Sequence, residues 1–391
     1  MQEFPLRVGN IIDHAARYHP RRDIISRDVE GPINRTNWNE IRNRALKLAK
    51  ALQKLGVRKG DVIGVMAWNT SRHLEVVYGV PGVGAVNHTL NPRLFSEQLI
   101  YIINHAEDKV LMVDSDLIPV IELIIAKCTS VQQIIVMTDT QNMPKSSIEN
   151  LLCYEEIISS EDTDMIWVKG SEYDACGICY TSGTTGNPKG VVYTHRSNTL
   201  HALASAAPDM LGLASTERIM PVVPLFHANG WSIGYTAPIT GASMIMPGRD
   251  MSPKALYEML EHGATVTAAV PTVWLLLLDF LEKENLTLTT LKRVVIGGSA
   301  CPRAVIEKFQ DKYGIKVLHA WGMTEMSPLG TICSFKPEVF ALSKEGQLNV
   351  QETTGHPPFS VDLKITNDRG TDLPWDGLSP GKLWARGAAV V

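Results

Sequence analysis

The sequence predicts an α/β protein built on mainly parallel, buried sheets. Apolar strand-like runs alternate with helix-periodic segments over residues 37–137, and the same alternation resumes over 252–319. The chain has 391 residues and 45% hydrophobic content, enough for two or three packed layers around a sizeable core.

The elements follow in order. Thr36 is placed to cap a helix over about 37–55, where Ile41, Ala45, Leu48, Ala49, Leu52 and Leu55 share one face and Gly56 ends it. A strand at 62–66 (VIGVM) and a helix containing 72–78 come next. A helix near 96–104, a strand at 110–113, a helix at 118–128 and a strand at 133–137 continue the pattern. Residues 138–172 are polar and acidic and read as a surface excursion. Ser252 and Pro253 open a helix in the Ncap–N1 manner, and Gly263 closes it. A strand at 265–269, a helix through 274–280, a strand at 293–296, a helix at 302–313 and a strand at 316–319 complete the alternating part. After about residue 330, Gly, Pro and short alternating runs such as VDLKI (361–365) and GKLWARG (381–387) suggest an antiparallel module. The expected division is a core over 1–330 and an incomplete β-rich module over 331–391.

Composition excludes several classes. A net charge of −4 with no long basic run gives a nucleic-acid partner no electrostatic support. The most apolar stretch, 264–280, is broken by Pro271, three threonines and Asp279, so no transmembrane segment is expected. The N-terminus lacks the pattern of a secretory signal. Cys176 and Cys179 form a CxxC, but no second pair or histidines follow at zinc-binding spacing. Six buried free thiols are the default, which suits a reducing cytoplasmic setting.

One stretch carries chemistry. YTSGTTGNPKG (180–190) places five hydroxyl residues, three glycines and one lysine between two apolar runs. Such a loop can wrap polyphosphate: glycines let backbone N–H groups approach the anion, hydroxyls donate, and Lys189 supplies a point charge. It is not a Walker A loop, because Gly190 rather than Ser or Thr follows Lys189 and a strand-like VVY comes next.

This loop resembles the signature of the acyl-adenylate-forming (AMP-binding) superfamily. PLFHANGW (224–231), GGSACP (297–302), HAWGMTE (319–325), LGVRKGD (55–61) and NHTLNPRL (87–94) stand in that family's order, and the resemblance covers nearly the whole chain. It implies two stacked α/β layers with a small distorted β-barrel beside them. Members continue with a ribose-binding aspartate and a mobile C-terminal lid. The chain stops at Val391, so the resemblance implies the large N-terminal part of a longer enzyme, with the lid domain absent.

The reaction so implied joins a carboxylate to ATP, giving acyl-AMP and pyrophosphate, before transfer to coenzyme A. Positioning and charge neutralisation would do most of the work. Thr181, Ser182, Gly183, Thr184, Thr185, Gly186 and Lys189 would hold the outer phosphates, with Thr184 and Lys189 acting in catalysis. Thr324 would touch the α-phosphate, and Glu325 would hold Mg²⁺, since a carboxylate beside polyphosphate needs a cation between them. Gly298, Ser299 and Ala300 would pack on adenine, with His319, Ala320, Trp321, Gly322 and Met323 opposite. His227 would lie between the acyl and nucleotide sites. Trp231, Val270, Pro271, Trp274 and Gly298 would form walls of the acyl pocket.

Relatives that activate amino acids carry an aspartate soon after the aromatic of the PLF-type motif. None stands between 221 and 249 here, so an acid with an apolar tail is expected. HANGW with NHTLNPRL resembles the branch of medium- and long-chain fatty-acyl-CoA synthetases, which also holds ligases for short thioether acids such as methylmercaptopropionate. Three alternatives stay open: a fatty-acyl-AMP ligase serving a carrier protein, a luciferase-like monooxygenase, and a nucleotide- or acyl-binding fragment without turnover. A homodimer is also left open.

Overall fold

The computed structural model describes residues 2–181 and 186–391. The first strands are β1 (Asp23–Arg27), β2 (Ile33–Asn37), β3 (Val62–Met66), β4 (Val86–Thr89), β5 (Asp108–Val113), β6 (Gln133–Val136), β7 (Leu152–Cys153), β8 (Ala175–Thr181) and β9 (Lys189–Thr194). They are followed by β10 (Arg218–Pro221), β11 (Ser243–Met246), β12 (Val266–Ala269), β13 (Arg293–Ile296), β14 (Lys316–Gly322), β15 (Leu329–Ile332), β16 (Val361–Thr366) and β17 (Lys382–Gly387). One sheet has the order β7-β6-β5-β3-β4-β8-β9, the other β15-β14-β13-β12-β10-β11-β1-β2. Both are parallel inside and antiparallel only at β8/β9, β14/β15 and β1/β2. Interior strands such as β11 and β12 are buried along their whole length, as sheets covered on both faces require.

The predicted helices form, with informative differences. Helix Trp38–Lys54 is capped by Asn37, whose side chain accepts from the Glu40 N–H, while Thr36 belongs to β2. Both residues can cap; the ladder of β2 with β1 runs on through Thr36 to Asn37, its last pair, so the chain turns into the helix one residue later than expected. The predicted 302–313 helix divides into Arg303–Glu307 and a wider π turn, Lys308–Lys312.

Residues 138–172 are not a simple surface excursion. Tyr154 is fully buried and donates to Glu75 Oε2 at 2.6 Å. Glu155 bridges Arg44 (2.8 Å) and Arg72 (2.9 Å) on helices Trp38–Lys54 and Ser71–Gly82. Trp167 packs against the core and donates to Asp13. The polar composition hides these anchors, because the charged residues point into a paired network.

Beyond residue 330 the antiparallel expectation holds only in part. β16 and β17 pair over six residues, but helices Pro337–Phe340 and Lys344–Gln351 also occur there. Among the described residues this region offers a two-stranded ribbon and no closed barrel. β15 itself runs across residue 330.

Candidate active site

The sequence motifs, apart from LGVRKGD, which precedes β3, lie at the carboxyl ends of strands, where open α/β sheets place their ligand sites. β8 and β9 form a hairpin with Thr181 opposite Lys189 and Tyr180 opposite Gly190, so the hydroxyl-rich loop joins two paired strands. Ser182, Gly183, Thr184 and Thr185 lie outside the described residues. Gly186 has φ +87°, and among the described residues no atom lies within 4 Å of where its Cβ would be. Lys189 is exposed and makes no ion pair among the described residues. The Tyr180 hydroxyl lies 2.6 Å from His105 Nδ1, and its ring packs on Gly190.

The HANGW segment has an uncommon backbone. Ala228, Asn229, Gly230, Trp231 and Ser232 have φ of 41°, 44°, 62°, 55° and 59°, a left-handed turn that costs residues bearing a Cβ about 1–2 kcal/mol each. Such strain persists only where the surroundings over-determine it. Here Thr89 of NHTLNPRL donates to Asn229 Oδ1 at 3.0 Å. Asn69 donates to the carbonyls of Pro221 and Val223 and accepts from the Leu225 N–H, fixing the chain that leads into the turn. Gly230 is needed because a Cβ there would lie 2.4 Å from Leu225 Cδ2.

The turn aims His227 and Trp231 into a cleft of ≈190 Å³. His227 is exposed by surface area yet sits deep among protein atoms, and that burial pushes its pKa below the usual histidine value. Across the cleft, Trp231 lies over Gly297, where a Cβ would come within 3.2 Å of its ring. Gly298 (φ +85°) lines the same cleft and abuts Val270.

The opposite wall is the end of β14: Ala320, Trp321, Gly322, Met323 and Thr324. A bulge between Trp321 and Gly322 turns the strand, and a Cβ on Gly322 would stand 1.9 Å from the Pro328 carbonyl oxygen. The Tyr193 hydroxyl, on β9 of the other sheet, donates to the Thr324 carbonyl at 2.7 Å. This bond joins the strand after the phosphate loop to the segment carrying Glu325. Glu325 is half-buried and has no ion-pair partner among the described residues. Its charge helps raise the pKa of the Tyr193 hydroxyl and the Cys179 thiol, in both cases after burial. All six cysteines are free and buried, and burial pushes Cys176 and Cys301 up to about 12, so neither is poised as a thiolate.

Several predicted residues lie elsewhere. His319 is buried behind the wall, accepting from the Cys301 N–H at 3.3 Å, and so steadies the GGSACP turn instead of facing the cleft. Ser299 and Ala300 are exposed beside the cleft and do not line it. Trp274 does not reach the cleft: its ring is fully buried edge-on against Phe309 in the adjoining core. Pro271 starts helix Pro271–Lys283 with Val270 as its N-cap, and of these two Val270 touches a cleft residue. Sequence reasoning missed Thr89, Asn229, Tyr193, Ser205 and Leu211. Thr89 and Asn229 lie inside quoted motifs, but their pairing spans 140 residues.

Comparison with known proteins agrees with this arrangement. The family model described as "AMP-binding enzyme" matches residues 12–391. The chain belongs to that AMP-binding enzyme family. It is 45% identical to the 3-methylmercaptopropionyl-CoA ligase of Ruegeria lacuscaerulensis, over all of this chain and 73% of that protein. It is 43% identical to the medium-chain-fatty-acid–CoA ligase of Ectopseudomonas oleovorans, over all of this chain and 72% of that one. A crystal structure of a long-chain-fatty-acid–CoA ligase from Archaeoglobus fulgidus superposes with a TM-score of 0.85 at 26% identity, covering all of this chain and 76% of that chain.

Proposed function

We propose that this protein activates an apolar carboxylic acid with ATP and passes the acyl group to coenzyme A. A carboxylate oxygen attacks the α-phosphorus of ATP, the bond from that phosphorus to the bridging oxygen breaks, and pyrophosphate leaves. The sulfur of coenzyme A then attacks the acyl carbon, the carbon–oxygen bond to AMP breaks, and the thiol gives up its proton. The observation that carries the reading is the meeting of the HANGW and HAWGMTE segments across one small cleft, with the phosphate hairpin tied to it through Tyr193 and Thr324. The names of the curated CoA ligases above support it.

The residues take roles that follow from their positions. Lys189, exposed where the loop rejoins β9, would neutralise the outer phosphates; Thr184, outside the described residues, is assigned beside it as a hydroxyl donor on the motif alone. Thr324 stands at the cleft edge, where the α-phosphate would sit. His227, with its pKa lowered by burial, is neutral at pH 7 and donates one N–H between acid and phosphate without adding full charge. The adenine would lie against Gly298 at the cleft wall.

Glu325 fits Mg²⁺ by its chemistry: a half-buried carboxylate next to Thr324, without an ion-pair partner among the described residues. Mg²⁺ takes one or two carboxylates together with phosphate oxygens and water. Among the described residues no group of three metal-binding side chains exists, so an all-protein cage is not available. Bound there, the ion would supply charge neutralisation to the polyphosphate.

Acid-dependent ATP–pyrophosphate exchange tests the first half-reaction. The reading expects exchange with apolar acids and none with α-amino acids. Exchange without added acid, or with amino acids alone, would overturn it. Among the described residues no helix is long and apolar enough to cross a membrane. We assign the protein to the cytoplasm on its buried free thiols.

A further inference from the structure

β13 and β14 present one face at alternate positions: Arg293 and Val295 on β13, and Lys316, Leu318 and Ala320 on β14. Val295 and Ala320 line the cleft described above. Arg293, Lys316 and Leu318 line a second cavity of ≈410 Å³ on that same face, toward the amino ends of the strands. Two residues along a strand advance about 6.6 Å, so the two spaces follow one another along a single groove. Among the described residues Leu211 is the one that lines both.

Leu211 is a fixed partition. It follows helix His195–Ser205, and its N–H donates to the Ser205 carbonyl at 3.0 Å. The next residue, Gly212, has φ +60° and donates to the Ala207 carbonyl at 3.1 Å. A Cβ on Gly212 would stand 3.0 Å from the Pro208 carbonyl oxygen, so this form of the turn calls for glycine. The Leu211 side chain is 4% exposed, with Ser205 beside it on the cleft side.

We propose that Leu211 is the end wall of the acyl subsite and that it restricts the enzyme to short apolar acids, thioether acids included, against long-chain acids. This rests on the acyl-adenylate reading of the cleft. The cleft's ≈190 Å³ is below the roughly 300–1,000 Å³ of pockets that enclose drug-sized ligands, and the nucleotide shares its walls. A longer tail must displace Leu211. Past that point the groove turns polar at Lys316 and at Arg293, whose guanidinium is held by Glu217 (3.1 Å).

The test is equilibrium binding of acyl-sulfamoyl-adenosine mimics with tails of increasing length. It uses the wild type, Leu211→Ala, Leu211→Phe, and Leu203→Ala, a half-exposed residue of the preceding helix outside the groove. Each methylene that enters an apolar pocket raises affinity roughly fourfold. The wild type and Leu203→Ala gain with the first few methylenes and then stop gaining. Leu211→Ala gains over a further two or three methylenes, about the room its side chain vacates, before the polar end of the groove stops it, and Leu211→Phe stops earlier than the wild type. The two Leu211 variants move in opposite directions, so poor folding of one does not imitate the result. A length profile unchanged in both overturns the role of Leu211 alone. Mimics that bind the wild type no better than adenosine overturn the acyl-adenylate reading beneath it.

Discussion

Gly230→Ala is the perturbation that most sharply tests how the HANGW turn is held. Gly230 has φ +62°, a left-handed conformation that costs a residue bearing a Cβ about 1–2 kcal/mol. The added methyl would also lie 2.4 Å from Leu225 Cδ2 and 3.2 Å from Leu225 Cα. The first contact is relieved by rotating a side chain; the second needs backbone movement. Overpacking of this kind costs about 1–3 kcal/mol, so the total is about 2–5 kcal/mol. Gly234→Ala is the matched control. It lies in helix Ile233–Thr240, its Cβ would meet only Leu74 Cδ2 at an ordinary 3.5 Å, and alanine there should stabilise by about 0.5–1 kcal/mol. Urea midpoints for the two variants should therefore move in opposite directions. The displaced turn should also weaken binding of an acyl-adenylate mimic, since His227 and Trp231 flank the substituted residue. A Gly230→Ala protein as stable as Gly234→Ala, with unchanged mimic affinity, would refute the strained-turn argument.

Glu325→Gln should weaken nucleotide binding tenfold or more with Mg²⁺ and much less in EDTA, because the lost charge acts through the metal; equal loss in both titrations would contradict its assignment. Lys189→Ala should reduce affinity for ATP more than for AMP, which competition binding can read directly; an equal loss for AMP would place the lysine elsewhere. His201 is buried, its Nε2 accepts the Leu329 N–H at 3.0 Å, and burial lowers its pKa to about 3. The folded state then binds fewer protons than the unfolded chain below pH 6.5, so this contribution is full above that value and falls as pH drops toward about 3. His201→Gln keeps an acceptor and removes the titration. The wild-type stability advantage over it should shrink by about 2 kcal/mol between pH 7 and pH 5, measured by urea unfolding, and a constant difference would contradict the buried neutral imidazole.

What the sequence made legible follows from how local each signal is. Helix Trp38–Lys54 and strands β3 and β13 are set by periodicity within a few residues, and structure and expectation agree there to within two positions. The family motifs supplied most of the residues of the cleft, though not Ser205, Leu211 or Val295, because glycines and hydroxyls at fixed offsets carry backbone chemistry. The long-range closures were not legible. Thr89 to Asn229, Tyr193 to Thr324 and Leu329 to His201 each join residues more than a hundred positions apart, and no local pattern announces them. Trp274 shows the opposite error: an aromatic beside a motif was read as a pocket wall, while its helix turns it into the core against Phe309. Residues 138–172 misled because charge was taken for exposure, although Glu155 is engaged by two arginines.

The most direct measurement is a crystal structure with a non-hydrolysable acyl-adenylate mimic bound. The account predicts adenine against Gly298, the phosphate surrogate near Thr324 and His227, and the tail between Trp231 and Val295, ending at Leu211. A mimic seated in any other cavity, or an adenosine in this cleft with its tail directed into solvent, would contradict it.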